Sequence, residues 1–215
     1  MAEGLIQHTG MKKAEARAHV LDMFKKLGIP DPIRRMNDYP HQFSGGMKQR
    51  VVIAIAMICN PDVIIADEPT TALDVTIQAQ IMELMKSLQI NDHKSIILIT
   101  HNIGLVAEMA DEVCVMYMGR VVEFGTLEDI FEHPSHPYTE ALLRSVPVLG
   151  LAEGQELETI PGATPNPADL GAGCEFADRC PHCHARCREK DIPRYEVSPG
   201  HYVRCLKHDS FQEVV

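Results

Sequence analysis

The six residues Val63-Ile64-Ile65-Ala66-Asp67-Glu68 constrain this chain more than any other stretch. Four consecutive apolar residues, three of them β-branched, read as a strand apolar on both faces, the pattern of a buried parallel strand. Two acids follow at its carboxyl end, where open α/β sheets bind ligands. Residues 95–100 form a second such run. Helical periodicity surrounds both. Residues 12–27 place Val20, Leu21, Phe24 and Leu27 on one side, Gly28 is a C-cap, and Pro30 and Pro32 prevent continuation. Ser44 caps a helix through Met47, Val51, Ile55 and Ile58 that stops at Asn60-Pro61. Asp74 caps another, carrying Ile77, Ile81, Leu84 and Leu88, and 102–109 is a short third. Residues 113–117 and 120–124 flank Met118-Gly119 as a hairpin. This alternation predicts an α/β domain with a mainly parallel sheet.

Composition narrows the function classes. The 215 residues hold 30 Asp+Glu against 20 Lys+Arg, a formal charge of −10, which disfavours a nucleic-acid binder. The hydrophobic fraction of 45% supplies a core and argues against disorder. With no Trp, that core must come from Ile, Val, Leu, Met and Ala. The longest apolar run, 51–59, is far short of the roughly 20 residues that span a bilayer. Residues 1–9 lack a cationic region followed by an apolar run, so no secretory signal is read. A soluble, cytosolic protein of one or two domains is expected.

The texture changes after Thr126. A helix over 127–132 precedes His133-Pro134-Ser135-His136-Pro137, a helix follows over 138–145, and 150–172, rich in Gly, Pro and Glu, reads as a linker. Of seven cysteines, Cys59 and Cys114 lie in apolar runs and are expected as buried thiols. The other five cluster. Cys174, Cys180, Cys187 and Cys205 follow C-x5-C-x6-C-x17-C, with Cys183 between the second and third. In a reducing compartment such a cluster suggests metal before disulfides. Composition favours Zn²⁺ over an iron–sulfur cluster, with His182, His184 and His201 as competing ligands; the bland alternative is an unligated tail.

Three elements carry chemistry. Ser44-Gly45-Gly46-Met47 opens a helix, so exposed backbone N–H groups and the helix dipole can hold phosphate, although an ordinary N-cap reads the same way. Asp67 suits Mg²⁺, and Glu68 suits polarising a water for attack on phosphorus; the alternative is two solvated acids capping the next helix. His101, at the end of the second strand, can donate to a phosphoryl oxygen or be merely structural.

Together, in this order, these motifs resemble the ATP-binding subunit of ABC transporters. Ser44-Gly45-Gly46-Met47 resembles the signature motif, with Met where Gln is commonest. Residues 63–68 resemble the Walker B strand and glutamate base, Thr71-Ala72-Leu73-Asp74 the D-loop, and His101 the switch histidine. Tyr39-Pro40-His41-Gln42-Phe43, His136-Pro137-Tyr138-Thr139 and the cysteine region narrow the resemblance to bacterial oligopeptide/dipeptide importers, a pattern shared with nickel importers. The fold it implies is a P-loop NTPase-like ABC ATPase core. Residues 1–60 would be the remainder of the helical subdomain, 61–126 the ATPase core, and 127–215 the importers' C-terminal extension.

The resemblance also implies roles. Two ATPase subunits, identical or paralogous, meet head to tail around two ATPs. Ser44, Gly45, Gly46 and Met47 would contact nucleotide held by the partner, and Asp74 would connect the two sites. Asp67 would organise Mg²⁺, Glu68 would activate water and His101 would sense the γ-phosphate. Cys174, Cys180, Cys187 and Cys205 match the four-cysteine pattern of a [4Fe–4S] cluster in related importers, which reverses the preference for zinc; Cys183 departs from it. Implied partners are a second ATPase subunit, transmembrane permease subunits and, indirectly, a peptide-binding protein, at the cytoplasmic face of the bacterial inner membrane. Alternatives are a nickel-import ATPase subunit or a non-catalytic metal-binding docking module.

No stretch fits G-x4-G-K-[ST], the loop that cradles the β-phosphate, and the adenine-stacking aromatic and glutamine loop are also missing. The sequence is therefore expected to be the C-terminal portion of a longer subunit. Its parallel strands are expected to lack neighbours and one face of cover, and autonomous ATP hydrolysis is not expected.

Overall fold

The computed structural model describes residues 1–146 and 159–214. Compactness divides them into Met1–His101 and Asn102–Val215, a division different in kind from the motif-based segments at 60 and 126.

In the first unit, α1 (Ala2–Thr9), α2 (Lys13–Lys26), α3 (Pro32–Arg35) and α4 (Gly45–Met57) precede β1 (Val63–Asp67), α5 (Val75–Asp92) and β2 (Ser95–Ile99). Leu27 closes α2, and Gly28 beyond it takes φ +65°, a left-handed conformation that suits glycine. Leu5, Ala16, Val20, Phe24, Leu27, Ile29, Ala54 and Ile58 form one buried cluster, so α1, α2 and α4 share a core. Helix α5 buries Ile81, Met82, Met85 and Leu88, each contributing roughly 1.5–3 kcal/mol by removal from water. The caps expected from sequence form: Ser44 Oγ accepts from the Met47 N–H at 3.4 Å, and Asp74 Oδ1 from the Ile77 N–H at 2.9 Å.

Strands β1 and β2 pair in parallel, Val63 opposite Ser95 through Asp67 opposite Ile99. Burial alternates along both, leaving Val63, Ile65, Ile97 and Ile99 exposed. This corrects the reading of strands buried on both faces. A run of β-branched residues reports what a strand can be covered by; the two-stranded sheet described here has one uncovered face, as the lack of neighbours and cover anticipated.

The second unit contains α6 (Ile103–Met109), β3 (Glu112–Tyr117), β4 (Arg120–Thr126), α7 (Leu127–Glu132), α8 (Pro137–Arg144), β5 (Arg194–Ser198), β6 (His201–Val203) and β7 (Gln212–Val214). Five of these strands form an antiparallel sheet in the order β3-β4-β6-β5-β7, so the parallel pairing expected of the α/β fold is confined to β1 and β2. Met118 and Gly119 both have positive φ, +48° and +79°, as a two-residue hairpin turn needs. Thr126 and Asp129 form a reciprocal capping box at the start of α7. The core joins Val115, Tyr117, Val122, Ile130 and Phe176. Phe176 lies edge-on to Tyr117 with centroids 5.3 Å apart and 5.4 Å from Tyr138, tying the cysteine segment to the hairpin and α8. Residues 150–158 of the expected linker lie outside the described residues; 159–172 are irregular apart from one short turn of helix, Pro167–Asp169. Cys59 and Cys114 are exposed, correcting their assignment as buried thiols: each belongs to an apolar run but sits on its outward side.

Candidate functional site

In the first unit the carboxyl ends of β1 and β2 bring Glu68 to His101. The Glu68 N–H extends the ladder by one bond, to the Ile99 carbonyl at 2.8 Å. The backbone then turns left-handed, φ +43° at Glu68, an uncommon conformation for a residue with a side chain. The turn sets Glu68 Oε1 2.9 Å from His101 Nδ1, while Oε2 accepts from the Thr71 hydroxyl at 2.7 Å. These bonds favour the ionised carboxylate. The Thr71 hydroxyl, and then His101, hold its pKa below the usual glutamate value. Glu68 is thus an ionised, oriented acceptor in an open setting, suited to holding a water in place. Asp67, the last residue of β1, also lies at this edge and is exposed.

A second group forms where two helices start side by side. A Cβ on Gly46 would lie 2.7 Å from Ile77 Cγ2, and one on Gly45 would lie 3.6 Å from Leu73 Cδ2. The glycines therefore let the N-terminus of α4 approach the Leu73–Ile77 segment, with Asp74 at the start of α5. Ser44 and Gly45 stay exposed at the α4 N-terminus, where unpaired N–H groups and the dipole favour an anion. Sequence reasoning assigned Gly46 only to phosphate; its packing role emerges from the structure. It named Thr71 only within the D-loop resemblance, although a hydroxyl three residues beyond Glu68 across a turn was a readable signal.

In the second unit, Cys174, Cys180, Cys183, Cys187 and Cys205 all line one cavity of about 210 Å³, with His136, His182 and His184. The Cys174 N–H donates to the Cys187 carbonyl at 2.7 Å and closes the loop. A Cβ on Gly173 would meet Arg188 Cα at 2.6 Å, so the two segments touch backbone to backbone. Burial pushes the Cys174 and Cys205 thiols up to about 11 and raises Cys180 as well. Among the described residues, no three His, Cys, Asp or Glu side chains gather around a single metal-ion position. His201, a competing ligand in the sequence reading, is occupied elsewhere. Its Nε2 lies 2.8 Å from Oε1 of the fully buried Glu123. The same carboxylate accepts the backbone N–H groups of Ser135, at 2.6 Å, and His136, at 3.0 Å. Nothing in the sequence had marked Glu123, which here pins the His-Pro-Tyr segment to the sheet.

A model of the ABC transporter family matches residues 2–71, and a model of the oligopeptide/dipeptide transporter C-terminal region matches residues 122–187. The chain is similar to ABC transporter ATP-binding proteins. Within that class it is 52% identical, over 99% of its length, to the dipeptide transport ATP-binding protein DppD of Bacillus subtilis. It is 48% identical, over 96% of its length, to the oligopeptide transport ATP-binding protein OppD of Salmonella typhimurium. It spans 63% and 61% of those two relatives. The solved dimeric ABC transporter cassette MJ0796 overlaps 54% of this chain and 49% of its own, at 36% identity and a TM-score of 0.47.

Proposed function

We propose that this chain supplies the water-orienting and signature-motif parts of the ATP sites in a bacterial di- or oligopeptide importer. The Glu68–His101 pair, 2.9 Å apart at the ends of two parallel strands, carries this reading. Glu68 orients the attacking water, Asp67 offers a hard oxygen ligand to Mg²⁺, and His101 meets the γ-phosphate. Ser44, Gly45, Gly46 and Met47 present hydroxyl and backbone donors to nucleotide held by a second ATPase subunit, and Asp74 sits where the two sites communicate. ATP-dependent closure then drives the permease subunits between two states, with peptide delivered by a binding protein. No helix among the described residues is long and apolar enough to cross a membrane, in keeping with a peripheral place on the cytoplasmic face of the inner membrane. These 215 residues contain no β-phosphate loop of the G-x4-G-K-[ST] type, so the expected steady-state ATPase rate of the isolated chain is background. Hydrolysis that disappears in Glu68→Gln would contradict this division of labour.

The cysteine cavity supports a second part of the reading. A tetrahedral Zn²⁺ with bonds of about 2.3 Å draws its thiolates to within about 3.8 Å of one another. A cavity of about 210 Å³ lined by five cysteines has room for a group larger than one ion. The residues to hold a [4Fe–4S] cluster are Cys174, Cys180, Cys187 and Cys205, which leaves Cys183 spare. Such a group supplies one-electron chemistry or structural cross-linking, and it lowers the cost of keeping four thiolates together. Iron and sulfide in the anaerobically purified chain support this assignment; zinc without iron rejects it.

A further inference from the structure

His136 has one ring nitrogen in use and one stranded. It is the N-cap of α8 and is 1% exposed. Its Nδ1 accepts the Tyr138 N–H at 3.0 Å, so in the neutral ring the proton resides on Nε2. Burial, with the nearby Arg204, His208 and Lys207, lowers its pKa to about 3 and keeps the ring neutral. The Nε2–H is buried and has no hydrogen-bond partner among the described residues. Buried donors are seldom left so, and such a case asks for an explanation. His136 also lines the cavity bounded by Cys174, Cys180, Cys187 and Cys205.

We propose that His136 Nε2–H donates a hydrogen bond to a sulfur of the metal–sulfur group held by these cysteines, making His136 a positioning and potential-setting residue. The inference rests on the metal–sulfur reading above. A sulfur in this cavity is an acceptor that strengthens as its charge grows. The bond therefore favours the reduced, more negative state and raises the reduction potential. It also ties the His-Pro-Tyr segment, already anchored by Glu123, to the occupancy of the cavity.

Two substitutions separate the two ring nitrogens. In His136→Asn the amide oxygen replaces Nδ1 as the cap, and no donor reaches the Nε2 position. In His136→Gln the longer amide places an N–H near the Nε2 position and loses the cap. The full chain is reconstituted anaerobically with iron and sulfide, and its potential is read by spectroscopic redox titration. The expected result is a lower potential in His136→Asn than in the unsubstituted chain, with His136→Gln close to the latter. Retention of the group by His136→Gln but not by His136→Asn supports the same assignment. Equal potentials in His136→Asn and the unsubstituted chain overturn it, as does loss of the group from both variants. An unsubstituted chain that takes up no iron and sulfide overturns the underlying reading and this inference with it. That failure is distinguished by metal and sulfide content, before any potential is measured.

Discussion

At the scale of single residues, hydrogen bonds rather than burial set the properties of Glu68. Its carboxylate is in the open, so the Thr71 hydroxyl and His101 are what favour the charged form. Removing the larger of these in Thr71→Val is expected to move the Glu68 titration upward, toward the usual glutamate range. The sign follows from Thr71 donating to the carboxylate, which stabilises the ionised state and delays protonation as pH falls. Carboxyl chemical shifts followed through the acid range check this; an unchanged midpoint contradicts it. Glu123 is the opposite case. It is fully buried and accepts from Ser135, His136 and His201. Glu123→Ala strands these donors and is expected to cost about 3–5 kcal/mol in denaturant unfolding. Glu123→Gln, which keeps an acceptor, is expected to cost less. The two residues differ in how far local sequence marks them. Asp67-Glu68 stands out in the sequence because two acids directly follow an apolar strand. Glu123 sits unmarked within a hairpin strand, and its partners arrive from 12 to 78 residues away.

At the scale of elements, helix starts were the most legible features. Ser44 and Asp74 each cap the helix assigned to them from sequence, because a cap is a local bond between neighbouring residues. Sheet partners were the least legible. Strands β5 and β6 fell inside what read as a cysteine module, although Tyr195 and Val197 alternate with polar residues and Pro199-Gly200 marks a turn. Their pairing onto β4 is long-range, and no local pattern reports it. Gly46 joins the two kinds of information. The sequence reads the Gly-Gly pair as a candidate phosphate site, whereas the close approach of Gly46 to Ile77 has no local signal. Gly46→Ala gains up to about 1 kcal/mol of helix propensity, but overpacking costs about 1–3 kcal/mol. A net loss of stability is expected, with partial rescue by Ile77→Ala in a double-mutant cycle. Additive effects would place the clash elsewhere. On the uncovered face of the β1–β2 sheet, Ile65→Ser, at a residue 68% exposed, is expected to change stability by less than about 0.5 kcal/mol. Ile81→Ala on α5, at a residue with no exposure, is expected to cost about 2–5 kcal/mol.

At the scale of the whole molecule, the two compact units carry two different chemistries. Met1–His101 holds the groups proposed to face phosphate, and Asn102–Val215 holds the antiparallel sheet and the thiol-lined cavity. The acidic balance of −10 is compatible with a polyphosphate ligand because the groups proposed to bind it are local: backbone donors at the α4 N-terminus, the Ser44 hydroxyl and His101. Since Ser44 and Gly45 stand exposed at that helix start, the central claim is that they meet nucleotide held by another subunit. The direct measurement is light scattering of the chain mixed with a full-length peptide-importer ATPase subunit, with and without ATP and Mg²⁺. The expected result is a complex that forms only with ATP and is abolished by Ser44→Arg. Absence of a complex under all conditions, or one that forms equally well with Ser44→Arg, would contradict the claim.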